Sequence, residues 1–226
     1  MIVAIVLSVL VAAGALGGAA VLRWRATHPA AAPVTSGKPP ASSGVGPSGC
    51  LREPCQVLGR ATVGGTVVEL VADAGGTSGR LRVGGPNSGS VIEATITEMG
   101  VTLAADSLQC LPGGPAACLI RGRHDGGIAG QVVVGRSDSW SALEQRYVSN
   151  AGYLALINLD GDVVPEILAA QHDCPTAVDC ASRPVFAQVF ALTGQVLGCT
   201  RNYPKLDKLP GAPGVPLTKA QLTPCR

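Results

Sequence analysis

The clearest chemical pattern in the sequence is a short run of acidic and amide side chains. Side-chain oxygens occur at the alternate positions Asn158, Asp160 and Asp162, and another carboxylate follows at Glu166. Gly161 lies among them and permits a tight bend. Calcium takes roughly six to eight oxygen ligands, which such a bend brings to one centre. The spacing predicts a calcium-binding loop whose ligands are the side chains of Asn158, Asp160, Asp162 and Glu166 and the backbone carbonyl of Val164.

A second interpretation of the same residues needs no metal. Carboxylates held close together without a cation repel one another, and this repulsion raises the pKa of at least one of them. A turn that stays open to water avoids most of this cost because water screens the charges. The loop is therefore either a calcium site or a solvated acidic turn that binds no ion specifically.

The segment from Asn158 to Ile167 resembles the calcium loop of FG-GAP/VCBS-type repeats. The usual form of that loop is Asp-x-Asp/Asn-Gly-Asp-Gly-x-x-Asp followed by an apolar strand, and apolar runs at 153–157 and 167–169 flank the segment here. Two positions differ, because Asn158 replaces the first Asp and Val163 stands where Gly is usual. The resemblance implies calcium binding, and the two differences imply a site weaker than is usual in the family.

FG-GAP repeats occur in series and close into β-propellers. This sequence contains the loop once, and the chain after position 50 is too short for a complete ring of blades. We therefore expect a compact antiparallel β domain, a sheet or sandwich with one blade-like hairpin, and not a full propeller.

Short β-branched and apolar runs separated by Gly and Pro indicate a mainly β fold. Predicted strands lie at 67–71, 91–97, 101–103, 117–120, 128–134, 153–158, 166–170 and 185–192. One helix is predicted, with Asp138 or Ser139 as its N-cap, because Trp140, Leu143 and Tyr147 are spaced as on one helical face. With only two Trp, three Tyr and two Phe in the chain, Val, Leu, Ile and Ala must fill the core.

All eight cysteines lie between Cys50 and Cys225. An even number of cysteines in a small domain is typical of an oxidising compartment. The sequence alone does not choose among the possible connectivities, but cysteines close together in the chain meet most easily. We predict four local disulfides: Cys50–Cys55, Cys110–Cys118, Cys174–Cys180 and Cys199–Cys225.

Residues 1–22 contain no charged side chain. As a helix this segment is about 33 Å long, enough to cross a hydrocarbon core of about 30 Å. We predict a single-pass transmembrane helix that attaches the protein to the cell membrane. The alternative is a signal segment whose cleavage would release the domain, because Ala13-Gly14-Ala15 and Gly18-Ala19-Ala20 resemble signal-peptidase sites.

Residues 23–49 are predicted to form a flexible linker. Its part at 26–49 consists mostly of Pro, Ala, Ser, Thr and Gly and extends to roughly 70 Å. Arg23 and Arg25 follow the apolar segment, and by the positive-inside rule they would leave the following chain in the cytoplasm. The cysteines argue for the opposite side of the membrane. We give them more weight and place residues 50–226 outside the cytoplasm, as one disulfide-bonded domain.

The domain at 50–226 carries all 15 acidic residues and is nearly neutral, so it lacks the basic surface of a nucleic-acid-binding protein. Segment 121–127 is interpreted as a polar surface loop, and His172 as a surface residue beside a disulfide. No catalytic motif is present. The predicted function is a binding or structural module of the cell envelope, with an unidentified protein or cell-wall ligand. The alternative is an envelope hydrolase that uses distant carboxylates such as Glu144 and Asp162.

Overall fold

The structure, a computed structural model, describes residues 50, 52–86, 88, 90–137, 139–174 and 180–225. The predicted transmembrane segment at 1–22 and the predicted linker at 23–49 lie outside the described residues. Among the residues that are described, no helix combines the length and the apolar character needed to cross a membrane.

The described chain forms three four-stranded antiparallel sheets, each built from four strands that follow one another in the sequence. The first sheet contains β1 (Cys55–Val63), β2 (Thr66–Asp73), β3 (Gly79–Val83) and β4 (Ser90–Glu93). The second contains β5 (Leu108–Leu111), β6 (Ala116–His124), β7 (Gly127–Arg136) and β8 (Ser139–Ser149). The third contains β9 (Leu154–Ile157), β10 (Glu166–His172), β11 (Val185–Phe190) and β12 (Val196–Cys199). Short 3-10 helices lie at Thr95–Met99, Cys180–Ser182, Leu206–Lys208 and Lys219–Gln221.

The second sheet lies between the other two and is buried on both faces. Its residues Cys118 and Ile120 pack against the first sheet, and their neighbours Ala117 and Leu119 pack against the third. The outer face of the third sheet is covered by the C-terminal segment, whose Leu209 is fully buried there. Val, Leu, Ile and Ala form most of all three clusters, as the composition predicts.

The first strands of the three sheets are neighbours: β1 lies beside β5, and β5 lies beside β9. Four-stranded sheets of this kind also form the blades of β-propellers, but the three described sheets do not close into a ring. Gln109 of β5 covers the free edge of β9, because its side-chain amide donates to the Leu156 carbonyl (2.9 Å) and accepts from the Leu156 N–H (3.0 Å). The Arg121 guanidinium donates to the Leu154 carbonyl on the same edge. These contacts satisfy backbone groups that would otherwise be free to pair with another strand.

The predicted helix ending at Tyr147 is wrong, because Ser139–Ser149 is strand β8. Trp140 packs on the cluster between the first and second sheets, whereas Leu143 and Tyr147 pack on the cluster between the second and third. A bulge opposite Val132 shifts the alternation of β8 between these residues. Helical spacing therefore arose in a strand that contributes side chains to two clusters and is bulged in the middle.

Two other strand predictions also need correction. The predicted strand at 91–97 ends at Glu93, and Thr95–Met99 is a 3-10 helix terminated by Gly100 with a φ of 81°. The predicted strand at 101–103 is reduced to one isolated bridge between Thr102 and Arg123. The strands β1, β3, β5 and β12 were not predicted. Apolar alternation is weak in β1, β5 and β12, whereas the sequence of β3 does alternate and its strand was missed.

All four predicted disulfides are confirmed. They are Cys50–Cys55, Cys110–Cys118, Cys174–Cys180 and Cys199–Cys225, with Cα–Cα distances of 5.6, 4.0, 5.4 and 5.0 Å. Cys110 and Cys118 are direct partners on β5 and β6, so this bond closes a hairpin. Cys199–Cys225 ties the C-terminal segment to β12 beside the Cys199–Thr223 bridge.

Candidate functional site

The acidic loop connects β9 to β10, and Glu166 at its end pairs with Ile157 at its start. The strands predicted on either side of the loop are confirmed. Leu159 packs under the C-terminal segment on the outer face of the third sheet, and Val164 packs against the cluster on the inner face. These two apolar side chains hold the loop on both faces of the sheet, so the polar side chains between them have a defined position.

Hydrogen bonds inside the loop fold it into a compact turn. The Asn158 side-chain amide donates to the Asp162 carbonyl (2.6 Å), and the Val164 N–H donates to the Asp162 carboxylate (2.7 Å). Gly161 has a φ of 70°, a conformation that glycine adopts without strain. Val163 stands where the FG-GAP/VCBS-type loop usually has Gly, and it is not among the residues with positive φ. The strain that a side chain would cause at a positive φ is therefore absent.

Glu166 is the most buried carboxylate of the loop, with 6% of its surface exposed. Burial raises its pKa, and the negative charges of Asp162 and Asp160 raise it further. The N–H of Leu159 donates to its carboxylate at 2.8 Å and opposes the shift without cancelling it. The ionised form of Glu166 is thus under-compensated, and a positive charge in the loop would stabilise it.

A positive charge does reach the rim of the loop. The ammonium of Lys219, from the 3-10 helix at Lys219–Gln221, lies 3.2 Å from the Asp160 carboxylate. The Lys219 side chain is 74% exposed, so the ion pair is largely screened by water and contributes little to stability. This contact was not predicted, because the two residues are far apart in the chain and no local pattern in the sequence relates them.

The loop between β5 and β6 supports the acidic loop from the side. The Gly114 N–H donates to the Val163 carbonyl at 2.7 Å. A Cβ atom on Gly113 would lie 2.3 Å from the same oxygen, so the close approach of the two backbones requires glycine there. The Cys110–Cys118 disulfide closes this supporting loop at its base.

The loop offers only oxygen donors, which suits a hard cation such as calcium and not zinc. Its three carboxylates do not converge on one point. Within the described part of the chain, Cys50, Glu53 and Cys55 are the one group of three potential metal ligands whose donor atoms lie within 4.8 Å of one another. The two cysteines of that group form a disulfide, so they are not free to bind a metal. A calcium ion in the acidic loop would need its carboxylates to move closer together.

Two cavities lie elsewhere, with volumes of about 410 and 690 Å³. The smaller is bordered by the Thr95–Met99 helix, and the larger by the turn between β6 and β7. Neither cavity is lined by Glu144 or Asp162, the carboxylates named for the hydrolase alternative. Glu144 is exposed in the bulge of β8, and Asp162 is exposed in the acidic loop.

His172 does not form a nucleophile pair with Cys174, because that cysteine is bonded to Cys180. The Nδ1 atom of His172 shares a hydrogen bond of 2.9 Å with the Arg183 carbonyl. His172 therefore helps to position the end of β10, next to the Cys174–Cys180 disulfide.

Compared with protein-family models, curated proteins and solved structures, the chain has no significant match. The resemblance to the FG-GAP/VCBS-type loop therefore rests on the residues of the acidic loop alone.

Proposed function

We propose that the protein is a membrane-anchored, extracytoplasmic module of the cell envelope whose acidic loop is stabilised by calcium. The observation that carries the calcium proposal is the buried Glu166 carboxylate, whose pKa is raised by burial and by the neighbouring charges of Asp162 and Asp160. A divalent cation bound between these groups removes the repulsion. The resemblance to the FG-GAP/VCBS-type loop supports the same ion.

The ligand set proposed for calcium is that of the sequence pattern: the side chains of Asn158, Asp160, Asp162 and Glu166 and the carbonyl of Val164. Calcium supplies charge neutralisation and a fixed geometry at this loop, and it supplies no reaction. The anchoring of Leu159 and Val164 on opposite faces of the third sheet keeps the ends of the loop in place. A calcium ion bound there would therefore link strands β9 and β10 and stabilise the folded state.

The location proposed for the domain rests on two features of the sequence and one of the fold. The apolar segment at 1–22 and the linker at 23–49 would hold the domain away from the membrane. All eight cysteines are paired in the four disulfides, and this supports an oxidising compartment. The partner in this proposal is an unidentified protein or cell-wall ligand. Reduced cysteines in protein isolated from its native source would contradict the location.

The deciding experiment is a calcium titration of the full chain in a mild detergent. It measures the heat of binding and the melting temperature. We expect saturable binding and a rise in melting temperature with added CaCl₂. Glu166→Gln should weaken binding at least tenfold, because it removes a buried ligand charge. Asp207→Asn is the matched control, since Asp207 is exposed and pairs with Lys208 away from the loop. No heat and no change in melting temperature would overturn the calcium proposal.

A further inference from the structure

The polar segment 121–127 has a definite place in the structure that the calcium proposal does not use. It forms the end of β6, the turn to β7 and the first residue of β7. It borders the cavity of about 690 Å³. The connection at 100–107 forms the opposite wall, and Gly152 from the turn between β8 and β9 completes the rim. The cavity therefore lies where the connections between the three sheets meet.

The walls of this cavity are held by backbone hydrogen bonds. The Arg121 N–H donates to the Ser107 carbonyl at 2.9 Å, and the Ser107 hydroxyl accepts from the Ala104 N–H at 2.8 Å. Thr102 forms a bridge with Arg123, and a Cβ on Gly122 would lie 2.4 Å from the Thr102 carbonyl. The shape of the cavity is thus formed before any ligand binds.

The residues that line the cavity carry charges of both signs. They include the two arginines Arg121 and Arg123, and the two carboxylates Asp106 and Asp125. The His124 ring lies 3.4 Å from the Asp125 carboxylate. The two guanidinium groups are equalled in number by the two carboxylates, so an anionic ligand is favoured by the hydrogen-bond donors that the arginines offer and not by an excess of positive charge.

The two arginines differ in how they are held. Arg121 is anchored by donating to the Leu154 carbonyl and to the Gln109 side chain (3.3 Å), which fixes its orientation. Arg123 is exposed, and its guanidinium has no ion pair or hydrogen bond with any residue that the structure describes. Its five donors are available to a ligand, and a guanidinium matches the geometry of carboxylate and phosphate oxygens.

We infer that this cavity binds a small anionic ligand through phosphoryl or carboxylate oxygens, with Arg123 as the principal donor and Arg121 as a fixed second charge. The volume suits a small molecule, since ligand cavities span roughly 300–1,000 Å³. Gly126 and Gly152, which also line the cavity, have open space around a notional Cβ. The site is separate from the acidic loop and does not depend on calcium.

The test is isothermal titration of the full chain in detergent at low salt with inorganic phosphate, pyrophosphate and citrate as probes. We expect one-site saturable binding of at least one probe, weakened at least tenfold in Arg123→Gln. Arg136→Gln is the matched control, because Arg136 is an exposed residue at the far end of β7 outside the cavity. It should bind as the unaltered protein does.

A second variant, Ala104→Trp, fills the cavity from an exposed position on its rim and should also abolish binding. Phosphate and pyrophosphate distinguish phosphoryl recognition from carboxylate recognition, which citrate reports. The inference is overturned by an absence of saturable binding with all three probes, or by equal affinity in Arg123→Gln and the unaltered protein.

Discussion

Glu166 and Tyr147 are buried polar residues, and each lacks a different kind of partner within the ranges that the structure describes: a buried cation for Glu166 and a hydrogen-bond partner for Tyr147. Glu166 accepts a hydrogen bond from the Leu159 N–H, but its charge has no buried cation beside it among the described residues. Tyr147 is 2% exposed, and its hydroxyl is the one buried side-chain polar atom without a hydrogen-bond partner in the described part of the chain. Its ring packs edge to face on Phe190 with centroids 5.2 Å apart. For each residue the missing partner predicts a measurable effect.

The pKa of Glu166 predicts how stability changes with pH. Because the pKa is raised in the folded state, the folded protein binds this proton more tightly than the unfolded chain does. The stability that Glu166 contributes is therefore lost as pH rises from the ordinary glutamate range through the raised value. We expect the melting temperature without calcium to fall over this interval, and the increase caused by calcium to grow over the same interval as the carboxylate ionises.

Melting curves recorded across this pH interval, with CaCl₂ and with EDTA, measure both effects. Glu166→Gln should remove the pH dependence that is specific to this residue, because the amide does not titrate. An equal effect of calcium at all pH values would contradict the role of Glu166 as a ligand.

The hydroxyl of Tyr147 predicts that its removal is harmless. Tyr147→Phe deletes a buried polar group that has no partner among the described residues, and we expect unchanged stability or a gain of about 1 kcal/mol in the free energy of unfolding. Tyr153→Phe is the matched control, because the Tyr153 hydroxyl donates to the Gly211 carbonyl at 3.2 Å. This variant should lose about 1 kcal/mol. Urea denaturation measures both, and an equal loss in the two variants would show that Tyr147 does have a partner.

At the scale of the elements, the pair β7 and β8 shows how the second sheet uses glycine. Gly135 is the cross-strand partner of Trp140, and a Cβ on Gly135 would lie 2.5 Å from the indole ring. The ring therefore covers the glycine and joins the cluster between the first and second sheets. The bulge in β8 then turns Leu143 towards the third sheet, so one strand serves two cores.

This close approach predicts that Gly135→Ala displaces the indole. The expected loss is about 1–3 kcal/mol in the free energy of unfolding, the usual cost of overpacking a core, together with a shift in tryptophan fluorescence. Gly75→Ala is the control, because its added Cβ would meet Thr77 at an ordinary 3.6 Å. Denaturation followed by fluorescence compares the two variants, and equal stability would mean that the indole has room to move.

At the scale of the whole described domain, three stacked sheets bury their faces in different ways. The second sheet is covered by its two neighbours, and the third sheet is covered on its outer face by the C-terminal segment. The outer face of the first sheet carries Glu69, a buried carboxylate paired with Arg60 and Arg82. Burial alone would raise the pKa of Glu69, but the hydrogen bonds and charges of the two arginines lower it. The stability that the ionised Glu69 carboxylate contributes is present above the ordinary glutamate pKa, and it is lost as the pH falls through the lowered pKa.

The C-terminal cover predicts unequal roles for the disulfides. Replacing both Cys199 and Cys225 by Ser opens a loop with a sequence separation of 26 and frees the segment that buries Leu209. We expect a loss of about 3–4 kcal/mol from the entropy of the unfolded chain, against about 2 kcal/mol for the same change at Cys50 and Cys55, where the separation is 5. Urea denaturation of the two double variants compares them. An equal or smaller loss at Cys199 and Cys225 would mean that the segment stays in place without its covalent tie.

The sequence by itself determined the mainly β fold and the strands on either side of the acidic loop, and the added assumption of local pairing was enough to predict the four disulfides. These features depend on residues that are close together in the chain: Cys110 and Cys118 flank a turn, and the apolar runs beside Asn158 and Glu166 lead directly into β9 and β10. Local patterns suffice where the interacting residues are sequence neighbours.

Only the tertiary structure decided that Ser139–Ser149 is a strand, that Lys219 reaches Asp160, and that Arg121 and Arg123 border a cavity. The helix prediction failed because periodicity identifies an element when one face is buried, whereas β8 packs on both sides. The Lys219 contact and the cavity depend on how distant segments are brought together by the stacking of the sheets. No local spacing in the sequence records that arrangement.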